Sequence, residues 1–252
     1  MAEENGLQYH VKVRPGDVGR YVLLPGDPGR VEMMASFLDE PTFISSNREH
    51  TVYGGWLLGE KVTVVSTGMG CPSTAIAVEE LIKVGADTFI RVGTCGGMQP
   101  EMQVGDVAVV TGAIRDEGTT RQYLPIEYPA LADIQVVNAL ASAAQGLGVA
   151  YHLGVSHTKD SFYGEIESER MPLAEEIKLR WKAWVAGGAI CSEMEASAVF
   201  ILSSIYRKRA GGVMTVVGSD TATLLQKKAD PNIMIQVAVE AIKLLIKADR
   251  EV

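Results

Sequence analysis

The chain has 252 residues, 47% of them hydrophobic, with 23 Lys and Arg against 31 Asp and Glu for a formal net charge of −8. This excludes a disordered or fibrous chain and provides for one large α/β core, or at most two small ones. The acidic balance argues against a nucleic-acid partner, whose phosphates demand Lys and Arg, but it leaves room for small anions at a local arginine cluster.

The opening stretch, Met1 to Gly6, is acidic and lacks an apolar centre, so no signal peptide is expected. No apolar run approaches the roughly 20 residues of a membrane helix. A cytoplasmic protein with no membrane partner is therefore expected. Tyr21 to Leu24 reads as a short strand ending at Pro25-Gly26, and Lys61 to Ser66 as a β-branched strand. A helix follows from Ser73 to Val84, closed by Gly85. Thr88 to Val92 is predicted as a strand stopping at Gly93, and Asp106 to Val110 as another. Asp116 to Ala130 has no clear period and reads as a long loop packed on the body or on another subunit. Helices are predicted near 131–146, 173–186, 195–208 and 231–248, with strands near 151–157 and 212–217 between them. Alternating strands and helices of these lengths predict an α/β fold with a largely parallel, buried sheet. No repeat or linker divides the chain, so residues 1–252 read as one domain.

Glycine clusters stand where strands are expected to end: Pro25 to Arg30, Thr67 to Gly70, and Gly93 to Gly97. In such sheets ligands bind beyond the carboxyl ends of strands, and glycine lets backbone N–H groups approach an anion. Arg30 and Arg91 lie in or beside two of these clusters, and Arg48 lies in the polar string 45–49. Guanidinium forks with the Thr94 hydroxyl suit a phosphate. Each loop reads equally well as a plain turn with a surface ion pair. Arg91 is harder to dismiss, because a charge ending an apolar strand needs a partner or an anionic ligand.

Several chemistries are excluded or disfavoured. GxxxxGK[ST] and a helix-opening GxGxxG are absent, as are HExxH and GxSxG. Cys71, Cys95 and Cys191 are far apart and form no CxxC pair, which predicts reduced thiols, no disulfide and no zinc site. His10, His50, His152 and His157 have no metal-ligand spacing, and the last two read as strand-end residues. The segment Ser192-Glu193-Met194-Glu195 sets two carboxylates before an apolar helix. They suit the helix dipole and equally suit the hydroxyls of a sugar.

The strings LPGDPGRV (24–31), NRE (47–49), STGMGCPSTAIAVEEL (66–81), RVGTCGG (91–97), DSFYG (160–164) and SEMEASA (192–198) resemble the uridine phosphorylases. These are part of a wider family with the hexameric purine nucleoside phosphorylases and the nucleosidases. The resemblance is co-linear from about residue 6 to the C-terminus. It implies a single α/β domain, a three-layer sandwich whose mixed, partly barrel-like central sheet is surrounded by helices. It implies a homo-hexamer of dimers with shared active sites, and reversible phosphorolysis of a nucleoside to free base and ribose 1-phosphate. Inorganic phosphate is then a co-substrate, and no cofactor is expected.

Carried over by position, Gly26, Arg30, Arg91 and Thr94 would hold phosphate, with Arg48 reaching the neighbouring subunit's site. His10 would cross the same interface to the ribose. Glu193, Met194 and Glu195 would hold the sugar, Glu195 on its hydroxyls. Phe162 and the Gly96 backbone would flank the base. Glu49, Met69 and Ser73 match positions that bind potassium between subunits in some relatives.

Two departures bear on the base. Uridine phosphorylases commonly read uracil with a glutamine and an arginine after the Phe-Tyr pair; here Glu165 stands near the glutamine position, and Arg170 is the arginine within reach of a longer loop. A carboxylate accepts from N–H but cannot donate to a carbonyl, which suits guanine. Asp220, in Gly218-Ser219-Asp220-Thr221, resembles the general acid of the purine-cleaving branch. Glu165 reads equally as a solvated loop residue and Asp220 as a capping carboxylate. Arg91, Glu195, Arg170 and Asp220 are thus the catalytic candidates. Uridine is the expected substrate, and inosine or guanosine the alternative. A nucleosidase is disfavoured because the three arginines are retained, and a non-catalytic binding protein because the ribose glutamate is retained too.

Overall fold

The computed structural model describes residues 6–218 and 229–251. Its centre is a sheet in which β-branched and aromatic residues pack on both faces. Tyr21–Leu24 (β1) is buried at every position, as an inner parallel strand must be. The other strands are Asp39–Asn47 (β2), His50–Leu57 (β3), Glu60–Val65 (β4), Thr88–Gly97 (β5), Val107–Asp116 (β6), Ala130–Leu131 (β7), Tyr151–Lys159 (β8), Cys191–Glu193 (β9) and Arg209–Gly218 (β10). The spatial order is β10-β6-β8-β9-β5-β1-β4-β3-β2, and β10 also pairs with β5. Strands β5, β9, β8, β6 and β10 therefore close into a barrel, and β1, β4, β3 and β2 extend from it as an open wing.

The sheet is mixed rather than largely parallel. β10–β5 and β6–β8 are parallel, whereas β10–β6, β5–β9 and β3–β4 are antiparallel. Helices Cys71–Lys83 (α2) and Ala196–Ile205 (α6) cover one side, with Leu81, Val78 and Phe200 in its core. The other side is covered by Val31–Ala35 (α1), Ile134–Gly146 (α3) and Pro231–Arg250 (α7), through Met34, Leu140 and Ile242. Helices thus surround a mixed, partly barrel-like sheet in three layers. Phe162–Ile166 (α4) and Ala174–Ala186 (α5) lie outside this frame.

Two differences from the sequence reading have physical causes. Strand β5 does not stop at Gly93 but runs through the glycine cluster, because β10 pairs with it from Arg209 to Gly218. The polar string 45–49 is the end of β2 and a tight turn into β3. β2 is an edge strand exposed along most of its length, so it carries no apolar signature. The loop after β6 is held by one buried side chain. Arg115 donates to Thr120 Oγ1 at 3.0 Å and to the carbonyls of Thr120, Leu124, Pro125 and Tyr128. Three free cysteines are all buried.

Candidate active site

Two parallel neighbours set the position of Arg91, which pairs in register with Leu24 of β1 and Gly212 of β10. The chain leaves β1 one residue after that point, into the Pro25 to Arg30 turn. Arg91 is buried and its guanidinium folds back over Gly93, where a Cβ would lie 3.0 Å from Nη2. Nε donates to Glu193 Oε2 at 3.0 Å, and Nη2 pairs with the Glu195 carboxylate. Among the described residues Nη1 is buried with no hydrogen-bond partner. It lies 3.9 Å from where a Cβ on Gly26 would stand, which is ordinary contact distance, so the Pro25 to Arg30 turn borders Nη1. Burial opposes the charge of Arg91, but the two glutamates outweigh it and hold the group firmly cationic.

The two carboxylates differ. Glu193 closes β9 and accepts from the Glu195 and Ala196 N–H groups, both at 2.8 Å, as a cap on α6. Its other oxygen accepts from the Thr158 hydroxyl. Glu195 is held by the Gly70 N–H at 2.7 Å and by Arg91. Burial pushes its pKa up, Arg91 opposes that, and neighbouring Glu193 adds to it. Met194 sits half-buried between them, and its carbonyl accepts from the Cys71 thiol at 3.3 Å. Sequence resemblance grouped Gly26, Arg91, Glu193 and Glu195, and the structure brings those four together.

The remaining phosphate and ribose candidates flank this centre. Arg30 ends the 3-10 turn Pro28–Arg30, capped by Asp27, and is half-exposed. Thr94 is half-buried further along β5. Arg48 is exposed at the β2–β3 turn with a positive φ of 54°. His10 sits on the same edge: Asn47 Nδ2 donates to its carbonyl at 2.8 Å, and its Nδ1 lies 2.7 Å from Glu80 Oε1. Glu80 also accepts from the His10 and Val11 N–H groups. Ser73 donates to Glu49 Oε1 at 2.7 Å, while the Met69 side chain is 84% exposed. Among the described residues no group of His, Cys, Asp and Glu is arranged to hold a metal ion.

Beyond Gly96 the barrel opens into a cavity of about 500 Å³, walled by Gly97, Gly218, Lys159, Glu165 and Trp181 among others. Glu165 is not a solvated loop residue. It lies on α4, and its carboxylate accepts from Ser192 Oγ at 2.5 Å and Lys159 Nζ at 2.9 Å, with His157 Nδ1 at 3.6 Å. Burial alone would raise its pKa, but His157, Lys159 and Ser192 together lower it. His157 is inside β8, not at its end, and its Nε2 lies 2.9 Å from Asp116 Oδ2. Burial opposes its protonation, and Asp116 and Glu165 overcome that to raise its pKa.

Arg170 is not brought to this cavity. It is exposed, pairs with Glu167 and stacks over the Tyr163 ring at 5.7 Å. Phe162 is 43% exposed and packs edge-to-face with Tyr163. Asp220 lies outside the described residues. Sequence reasoning missed Lys159 and His157 as cavity residues, and Ser192 as their hydrogen-bond partner. The available signal was the alternation His157-Thr158-Lys159 running into the DSFYG motif.

The sequence profile described as "Phosphorylase superfamily" matches residues 20–248. The chain belongs to the phosphorylase superfamily. It is 48% identical to a uridine phosphorylase of Treponema pallidum, across 96% of this chain and 95% of that one. It is 43% identical to a uridine phosphorylase of Thermococcus kodakarensis, across 98% and 90%. A guanosine phosphorylase of Halorubrum lacusprofundi is 37% identical, across 94% and 99%.

Proposed function

We propose that this enzyme is a pentosyltransferase that cleaves uridine reversibly with inorganic phosphate, giving uracil and ribose 1-phosphate. The observation that carries the reading is the buried Arg91 fork, with Nε and Nη2 on glutamates and Nη1, beside Gly26, unpartnered among the described residues. A buried donor of this kind suits an oxyanion, and a phosphate dianion matches its geometry. Relatives named uridine phosphorylases, at 48% and 43% identity over nearly the whole chain, supply the substrate.

In the reaction a phosphate oxygen bonds to the anomeric carbon while the carbon–nitrogen bond breaks and its electron pair leaves with the base. No covalent enzyme intermediate is required, so positioning and electrostatics carry the rate. Arg91, Gly26, Arg30 and Thr94 hold the phosphate, and Arg48 serves the site of a neighbouring subunit. Glu195, poised by the Gly70 N–H, holds the ribose hydroxyls with Met194 and with His10 from across the interface. Glu193 fixes the Arg91 guanidinium and caps α6. Gly96 and Glu165 lie on the base side, and Phe162, exposed outside the cavity wall, would pack on the base as the family resemblance implies. The assembly is a homo-hexamer of dimers acting in the cytoplasm, with phosphate as co-substrate and no cofactor. Potassium at Glu49, Met69 and Ser73 would be structural. No helix among the described residues is long and apolar enough to cross a membrane.

A guanosine-cleaving activity is the second reading. It is favoured by the half-buried Glu165 carboxylate and by the guanosine phosphorylase relative. An absorbance assay with uridine, thymidine, inosine, guanosine and adenosine, with and without phosphate, tests both. Phosphate-dependent turnover led by uridine is expected. Purine-only turnover overturns the base assignment, and equal rates without phosphate overturn phosphorolysis.

A further inference from the structure

Strand β8 separates two chemistries by its alternation. Ser156 and Thr158 turn their hydroxyls to Glu193, on the Arg91 side. His157 and Lys159 turn to the cavity, with Ser192 of the adjoining β9 beside them. Lys159 is a buried lysine, its side chain only 9% exposed, and such a group is costly unless it is partnered. Its ammonium donates to Ser192 Oγ at 2.6 Å and to Glu165 Oε2 at 2.9 Å. An ammonium has three N–H bonds, so one donor remains without an acceptor among the described residues. Glu165 is the complement. Its Oε2 takes Ser192 and Lys159, and its Oε1 accepts no hydrogen bond among the described residues.

We propose that Lys159 and Glu165 form the pair that reads the base, Lys159 donating to a ring carbonyl and Glu165 accepting from the adjacent ring N–H. The inference rests on the phosphorylase reading and names the substrate class of its base site. The pair is complementary to a –C(=O)–NH– edge. Uracil presents that edge, and so do guanine and hypoxanthine. Cytosine and adenine present an amino group beside an unprotonated nitrogen, which sets donor against donor and acceptor against acceptor. The cavity, about 500 Å³, is within the range of small-molecule sites and does not by its volume select a pyrimidine over a purine.

The pairing also removes an electrostatic objection. A lone carboxylate would repel the negative charge that grows on the departing base. Here the Lys159 ammonium neutralises Glu165 and lies against the carbonyl onto which that charge spreads. The pair therefore takes the part that Arg170, exposed and bound to Glu167, does not fill.

The test compares kcat/KM for uridine, 3-methyluridine and cytidine in the wild type, Lys159→Met and Lys159→Arg, with phosphate KM measured in each. The wild type is expected to cleave 3-methyluridine and cytidine at least about 100-fold less efficiently than uridine. Lys159→Met should lower uridine kcat/KM about 100-fold with phosphate KM changed less than about twofold, and Lys159→Arg should recover part of the loss. Wild-type cleavage of 3-methyluridine as efficient as that of uridine overturns the inference, even if Lys159→Met does not fold. So does a folded Lys159→Met that keeps uridine efficiency within about threefold. Absence of phosphate-dependent cleavage of every nucleoside by the wild type overturns the phosphorylase reading itself.

Discussion

Replacing Arg91 by lysine separates its structural task from its chemical one. The guanidinium serves three directions at once: Glu193 through Nε, Glu195 through Nη2, and the Gly26 turn through Nη1. A lysine keeps the charge but is a single point donor on a flexible stem. It can hold one glutamate and cannot also reach toward Gly26. Each hydrogen bond to a charged group contributes about 1.5–3 kcal/mol. Losing the one to phosphate should therefore raise phosphate KM about 10- to 100-fold. Losing one glutamate contact should lower folding stability by a similar 1.5–3 kcal/mol, roughly, because a buried carboxylate is left without its cation. Alanine is the poorer probe. It strands both glutamates and costs about 3–5 kcal/mol, which confounds lost folding with lost function. The assay is initial rate against phosphate concentration at saturating uridine, with urea unfolding in parallel. A stability loss of the expected size with phosphate KM within about twofold of wild type would show that Arg91 holds the glutamates together and does not meet the phosphate.

Three further outcomes are expected. Phosphate at about 100 times its dissociation constant should stabilise the wild type by about 2.7 kcal/mol, a rise of roughly 5–10 °C in Tm seen by calorimetry, and this rise should shrink in Arg91→Lys. Gly93→Ala places a Cβ 3.0 Å from Arg91 Nη2 and must shift a guanidinium tethered to two glutamates, so kcat/KM for phosphate should fall at least about tenfold in steady-state kinetics. Protonated His157 is stabilised between Asp116 and Glu165, with its pKa raised above 6.5. Its contribution is complete below that value and is lost as pH rises through the folded pKa, so the stability gap between wild type and His157→Gln should narrow as pH rises above about 6.5 in urea titrations.

The inner elements were legible because burial on both faces leaves a plain signature. β1, β4 and α2 were predicted to within about two residues from their apolar runs and flanking glycines. β2 was not, because an edge strand facing solvent is polar by necessity. The end of β5 was misread because glycine marks both turns and barrel strands that approach one another closely. Much of the site was legible through motifs, since Arg91, Glu193 and Glu195 stand in short strings of distinctive composition. Lys159 was not. A lysine in a strand carries no signal of burial until its neighbours across the sheet, Ser192 and Glu165, are known. The absence of a metal-ligand spacing placed no histidine in the cavity, yet the β8 alternation puts His157 there.

Stoichiometry tests the central claim most directly. Purified enzyme, uridine and limiting inorganic phosphate are followed to completion by phosphorus NMR and by uracil absorbance. One phosphate consumed and one ribose 1-phosphate formed for each uracil released is the predicted result. Uracil released with free ribose, while the phosphate signal stays constant, would contradict it.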